Sequence, residues 1–287
     1  MTKIALPLIL GGGVFAVSCG TPRAEWKLDR VVEVAGRQGI AADSLSYYVS
    51  GSSALYRYSK DGTLECENGN PFASLEMEAN HIGDIDVYDG EIYAGIETFV
   101  DGVGKNIRIG IYDADSLTWK RSVPWNPGSG QVEVCGLAVD AEHARVWMAD
   151  WVQGTDLYCY SLVTGEYEGK VALDPAPKLQ QGILYHDGKI IISCDDGDAD
   201  KDMSDHLYVC DMYREGNALP EKVEPELYRT MSDFRKAGEI EGLTMDPGTG
   251  ELIVLSNRGA RIILGMPKGF YPGYDREIHE LYIYSSK

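Results

Sequence analysis

The chain has 287 residues, 44% of them hydrophobic and 18 of them tyrosine, which is enough for one sizeable β domain. Its formal net charge is −19. That balance excludes a nucleic-acid partner, because no basic stripe is present to pair with phosphates, and it favours solubility and the binding of cations.

In chain order, Lys3 supplies a positive n-region and Ile4 to Val17 an apolar stretch too short to span a bilayer comfortably. Residues 1–18 therefore read as a signal peptide. The stretch Ala16-Val17-Ser18-Cys19-Gly20 resembles the lipobox of bacterial lipoproteins. The resemblance implies that Cys19 carries lipid and becomes the new N-terminus, with residues 19–25 as a tether to the membrane. An ordinary signal peptide with a chance cysteine is the alternative. The implied address is the cell envelope, and in a Gram-negative host the outer membrane, since Gly20 rather than an aspartate follows the cysteine. The remaining cysteines, Cys66, Cys135, Cys159, Cys194 and Cys210, are odd in number and lack a repeated CxxC spacing, so they form no disulfide framework. A bridge between Cys194 and Cys210 on neighbouring strands is left open.

The alternating segment Trp26 to Val34 predicts a strand that precedes any repeat. Five times thereafter a glycine with Ile or Leu close behind opens an apolar run that leads to a Leu-Tyr-type strand. The openings are Gly39-Ile40, Gly83-Asp84-Ile85, Gly136-Leu137, Gly182-Ile183 and Gly242-Leu243, spaced by 44, 53, 46 and 60 residues. Short strands at that period predict an all-β propeller of five blades over residues 26–287, with six as the alternative. Asp61-Gly62, Asp89-Gly90, Asp187-Gly188 and Thr249-Gly250 mark turns between the runs. The stretch from Met212 to Glu239 has weak strand character and is read as the fourth strand of blade four plus a loop. The last unit lacks a fourth strand, so the early segment from Trp26 is expected to complete it and close the ring.

Inner strands of a propeller line its channel, so the residues beside the five glycines gather at one mouth. That set comprises Gln38, Asn80, His81, Asp84, Glu133, Gln180, Gln181, Glu239 and Glu241. Acids with one histidine and several amides can hold a hard cation through oxygen, or do acid–base work. His81, Asp84, Glu133 and Glu241 are the catalytic candidates. Gln38, Asn80, Gln181, Trp151 and Arg258 are the ligand-binding ones, and Glu241 and Asp84 are possible metal ligands. The alternating Asp196, Asp198 and Asp200 form a second possible calcium loop, although the terminal Glu of an EF-hand is missing. Trp125, Trp147, Trp151 and Tyr271 are weighed as an aromatic platform against packing between blades. Arg258 and Arg261 either pair with acids or receive an anionic group.

The stretches Glu239 to Asp246 with Leu252 to Asn257, and Gly136 to Asp140 with Val146 to Asp150, resemble a repeat of esterase-like phytase and gluconolactonase-type propellers. In the lactonase group this implies a calcium-type metal in the channel, held by a Glu, Asn residues and an Asp. Glu241 matches that Glu, whereas Gln181 and Cys135 stand where asparagines would match. Two readings follow: an envelope binding module for a small molecule, glycan, peptide or protein, and a calcium-dependent hydrolase or lactonase. GxSxG, HExxH, P-loop and dinucleotide motifs are absent from the sequence.

Overall fold

A computed structural model describes residues 25–151, 154–213, 217–235, 237–263 and 266–287. The signal peptide and Cys19 lie outside the described residues. The first strand, β1 (Trp26–Val34), precedes blade one, which is a four-stranded meander of β2 (Gly39–Ala42), β3 (Ser46–Gly51), β4 (Ala54–Ser59) and β5 (Leu64–Asn68). Blade two repeats it with β6 (His81–Tyr88), β7 (Glu91–Val100), β8 (Val103–Asp113) and β9 (Trp119–Pro124). Blade three holds β10 (Gly136–Asp140), β11 (Arg145–Ala149), β12 (Asp156–Ser161) and β13 (Tyr167–Leu173). Blade four starts with β14 (Gln180–His186), β15 (Lys189–Cys194) and β16 (His206–Asp211). The chain then leaves it: β17 (Lys222–Val223) pairs in parallel with β13, and β18 (Glu226–Thr230) returns as the fourth strand of blade four. Blade five contains β19 (Ile240–Met245), β20 (Leu252–Arg258) and, after a small hairpin of β21 (Ala260–Ile263) and β22 (Met266–Phe270), β23 (Ile278–Ser286).

Five blades are thus present, and the six-blade alternative falls because the two strands described between Met212 and Glu239, β17 and β18, join blades three and four. The inner strands touch round the ring, β2 against β6, then β10, β14 and β19, and β19 back against β2. The last blade is completed by β1, which runs antiparallel to β23 from Trp26 opposite Ser286 to Val34 opposite His279. This pairing leaves β1 on the outside, where its residues alternate in burial as the sequence pattern requires.

Apolar residues fill the five spaces between neighbouring blades. Trp147, Ile183, Ile190 and Ile192 pack between blades three and four. Leu184, Ile191, Tyr282 and Tyr284 pack between blades four and five. Val34, Ile40, Val49, Ile253 and Ile283 join blade five to blade one. Burying such side chains contributes roughly 1.5–3 kcal/mol each, so the ring is held mainly by these seams. Among the turns, Asp89-Gly90 and Asp187-Gly188 adopt positive φ at both residues, 50° and 72°, then 48° and 74°. That geometry matches the twist of hairpin strands.

The five described cysteines are free, and Cys210 sits opposite Ile190 rather than Cys194. The bridge left open by the sequence is therefore not made. Trp147 is wholly buried in a blade seam, Trp125 packs on the seam between blades two and three, and Tyr271 lies under the Arg261 guanidinium at 4.5 Å. No common platform with Trp151 forms, because three of the four rings are used for packing.

Candidate functional site

Each inner strand enters the channel at the same end, and each second strand leaves there. The peptide before an opening glycine and the tail of the second strand therefore share one rim. A cavity of about 180 Å³ sits at this mouth. It is lined by Gln38, Asn80, His81, Glu133, Gln181, Glu239 and Glu241, anticipated from the glycine register, and by Trp151, a ligand-binding candidate of the sequence. Arg37, Ser52, Phe99 and Cys135 complete it. Arg37 carried no distinguishing sequence signal beyond standing next to Gln38. Phe99 comes in because β7 and β8 extend past the rim as a hairpin.

The acids of the mouth fall into two groups. In the first, Arg37 lies among three carboxylates, with its Nη2 3.0 Å from Glu239 and 3.7 Å from Glu241, and its Nε 3.4 Å from Glu277. Asn257 Nδ2 donates to Glu241 Oε1 and, at 3.0 Å, to the Arg37 carbonyl, which fixes the Glu241 carboxyl in place. Burial pushes Glu239 up to about 7 and Glu241 well above the usual carboxylate range despite the arginine. Asp195 and Asp205 are raised as well, both by burial and by acidic neighbours.

The second group is Glu97, Glu133 and Asp150. Glu97 Oε1 lies 3.0 Å from His81 Nδ1, and its Oε2 accepts the Val134 N–H at 3.2 Å. Glu133 Oε2 accepts the Trp151 N–H at 2.6 Å. Asp150 accepts the Tyr158 hydroxyl at 2.9 Å and the Glu133 N–H at 3.3 Å. Burial raises Glu97 to about 8, Asp150 to about 6 and Glu133 well above its ordinary value, and the neighbouring Glu97 and Asp150 charges add to the last. Burial and the nearby Arg37 hold His81 down to about 4, so its imidazole is neutral. Among the described residues, no lysine or arginine pairs with Glu97, Glu133 or Asp150.

Asp84 is not at the mouth. It is fully buried below it, on the axis. Its carboxyl accepts N–H groups of Ile85 at 3.0 Å, Ile183 at 3.0 Å and Leu137 at 3.5 Å, which belong to three different inner strands. The other two strands present Gly39 and Gly242, where an added Cβ would strike the same carboxyl. All five inner strands therefore meet at Asp84, which occupies a structural position rather than a catalytic or metal-binding one. This also explains the glycines. A Cβ on Gly182 would come within 2.6 Å of the Gly242 Cα, and one on Gly242 within 2.8 Å of the Gly39 Cα.

Several other expected residues are occupied elsewhere. Gln180 is fully buried and donates to the Gly154 and Pro177 carbonyls. Arg258 forms a two-pronged pair with Glu280 at 2.8 and 2.9 Å, away from the cavity. In the aspartate run, Asp196 accepts from His206 and Tyr208, Asp198 caps the turn at Ala199–Lys201 and pairs with Lys201, and Asp200 pairs with Arg261. Their carboxylates diverge, so the loop does not form a cage. Among the described residues, no group of three or more His, Cys, Asp or Glu side chains is arranged to hold a metal ion. Around Glu241 the resident positive charge is Arg37, and the oxygen count that calcium requires is not assembled there. The calcium expectation at Glu241, Asp84, Asp196, Asp198 and Asp200 therefore does not fit the residues as they stand.

Fold and site together define a five-bladed propeller with an axis closed on one carboxyl and an acidic cavity at one mouth. No family model matches the chain, and neither does any curated protein. Among solved structures it is similar to the PQQ-bound form of an aldose sugar dehydrogenase from Streptomyces coelicolor, at 16% identity over 91% of this chain and 98% of that one, with a TM-score of 0.45. It is also similar to U3-55K, at 8% identity over 88% and 98%, with a TM-score of 0.50. At such identities the likeness concerns the fold alone.

Proposed function

We propose that this propeller is a ligand-binding module of the cell envelope, anchored through lipid on Cys19 and binding through its acidic mouth. The observation that carries the reading is the cavity itself. It is a concave site where amides, a neutral imidazole and nearly buried carboxyls of perturbed acidity converge beside two aromatic rings, and convergent polar groups of that kind in a cleft mark a small-ligand site. Supporting the anchored orientation, β1 runs toward the mouth, so Trp26 starts at the far face, where the Lys287 N–H meets the Glu25 carbonyl at 2.9 Å. A tether over residues 19–25 spans at most roughly 25 Å. Such an anchor would hold the far face toward the bilayer and leave the mouth open to solvent.

A metal-assisted hydrolase has less in its favour, because Arg37 stands among the acids that would have to ligate the ion. Two measurements test the proposal. Cys19→Ser should move the protein from the membrane to the soluble fraction, and unchanged partitioning would remove the anchor. A thermal-shift screen of small polar ligands should give hits that Gln181→Ala weakens. Saturation at a hundred times Kd stabilises by about 2.7 kcal/mol, which such a screen detects.

A further inference from the structure

His81 is held by one edge of its ring. Nδ1 lies 3.0 Å from Glu97 Oε1, and the Glu97 side chain is wholly buried. The Phe99 ring packs against the imidazole, with centroids 5.5 Å apart. The His81 side chain nevertheless keeps 18% exposure and lines the cavity. Its Nε2 has no hydrogen-bond partner among the described residues and is not one of the buried polar atoms left without one, so it meets the solvent of the cavity.

Glu97 decides which ring nitrogen carries the hydrogen. Its Oε2 accepts the Val134 N–H at 3.2 Å, so a proton on Glu97 belongs on Oε1, facing His81. That O–H donates to Nδ1, and a neutral imidazole that accepts at Nδ1 carries its own hydrogen on Nε2. Shared the other way, as carboxylate and imidazolium, the same proton still leaves Nε2–H in place. When the pair loses one proton, it departs from Nε2 to solvent while the Oε1 proton passes to Nδ1. The buried carboxylate then accepts from both Nδ1–H and the Val134 N–H, and Nε2 presents a lone pair.

Burial raises Glu97 to about 8, with the Asp150 charge adding to it, so the pair keeps the extra proton at neutral pH. The groups around the pair come from several elements. Arg37, ahead of β2, lowers His81. Glu133, Cys135 and Asp150 stand on the side of blade three, and Asp84 lies three residues along β6; burial raises all four. From β8, Gly104 packs on Glu97 without a side chain, and Lys105 is exposed.

Resting on the reading of the mouth as a binding site, we infer that His81 determines which ligands the well accepts. With the shared proton it is a fixed N–H donor that selects an oxygen acceptor bearing no hydrogen, such as an amide or ketone carbonyl; without that proton it repels the same oxygen. A hydroxyl, which can donate or accept, suits both states. Glu97 is the positioning residue behind His81.

NMR of the imidazole nitrogens in the full chain tests the donor, with His81→Phe identifying the signals. At about pH 6.5 Nε2 should read as protonated and Nδ1 as bare, and the two signatures should exchange as pH rises through about 8. In Glu97→Gln the Val134 N–H keeps the amide oxygen on its own side, so the amide nitrogen donates to Nδ1 and Nε2 should stay protonated throughout. Asp150→Asn removes a charge that raises Glu97 and should move the exchange to lower pH; it is the second variant if Glu97→Gln does not fold. A bare Nε2 at about pH 6.5, or no exchange up to about pH 9.5, would overturn the inference. Calorimetric titration with N-methylpyrrolidone, a carbonyl acceptor without a donor, tests the ligand class. It should bind at neutral pH and weaken about tenfold one pH unit above the exchange, where about a tenth of the molecules keep Nε2–H. Unweakened binding, or none, would overturn the acceptor class. If the wider polar-ligand screen were blank as well, the binding reading would fall, while the nitrogen signals would still report on the pair.

Discussion

Asp84 shows how much one side chain can decide. Three buried N–H groups from three blades converge on its carboxyl, and two glycines make room for it. Asp84→Ala leaves those donors unpaired, at about 1–3 kcal/mol for each group stranded. The expected loss is about 3 kcal/mol or more, seen as a melting temperature lower by roughly 6–12 °C for a domain of this size. A variant that melts normally would show that water replaces the carboxyl. The mouth acids make a second prediction. Asp150, Glu239, Asp205 and Glu97 are raised to about 6, 7, 7 and 8, so the native state keeps protons that the unfolded chain has released. Their favourable contribution is full below the unfolded value near 4 and is lost as pH rises through 6 to 8. Melting temperature should therefore fall between pH 5 and pH 8, and Glu97→Gln should flatten the upper part of that fall. Glu91, held at about 2 by Arg121, works in the opposite sense and only in strong acid. Gln38, Asn80, His81, Glu133, Gln181, Glu239 and Glu241 were legible because each stands shortly before a repeated glycine. Asp84 was legible as a neighbour of Gly83 but not in its role, since only the closed ring reveals that five strands reach it. Arg37 was missed because a lone arginine before a glutamine carries no pattern.

At the scale of elements, the ring is closed by its first strand. Val34 and Val32 of β1 contribute to the seam between blades five and one, and Arg30 pairs with Glu251 at 2.7 Å. Removing residues 1–34 would expose the whole edge of β23 and open that seam. The shortened chain is expected to self-associate, because an unpaired edge strand templates pairing with another chain. Size-exclusion chromatography reads this directly, and a monomeric, cooperatively melting product would contradict it. This closure was legible from the orphan strand at one end and the missing strand at the other. The course of residues 212–230 was not, because β17 has only two residues and gains its identity from the β13 edge it joins. The hairpin of β21 and β22 was not legible either, because Pro267 and Gly269 conceal a strand pattern that pairing with β21 restores. The aspartate run looked like an ion loop because carboxylate spacing is visible in sequence, whereas Lys201, Arg261, His206 and Tyr208, which take up those carboxylates, become partners only after folding.

For the whole molecule, the glycine and aspartate closure has a consequence for traffic. A propeller axis can be a tunnel, open at both faces. Here the inner strands approach too closely for any Cβ at Gly182 and Gly242, and the Asp84 carboxyl fills the remaining space. The mouth is accordingly a blind well. Whatever enters it must leave by the same opening, past the rim that carries Phe99 and Trp151. A bound molecule cannot be pushed out from behind, nothing is passed from one face of the disc to the other, and two occupants of the well must compete for a single doorway.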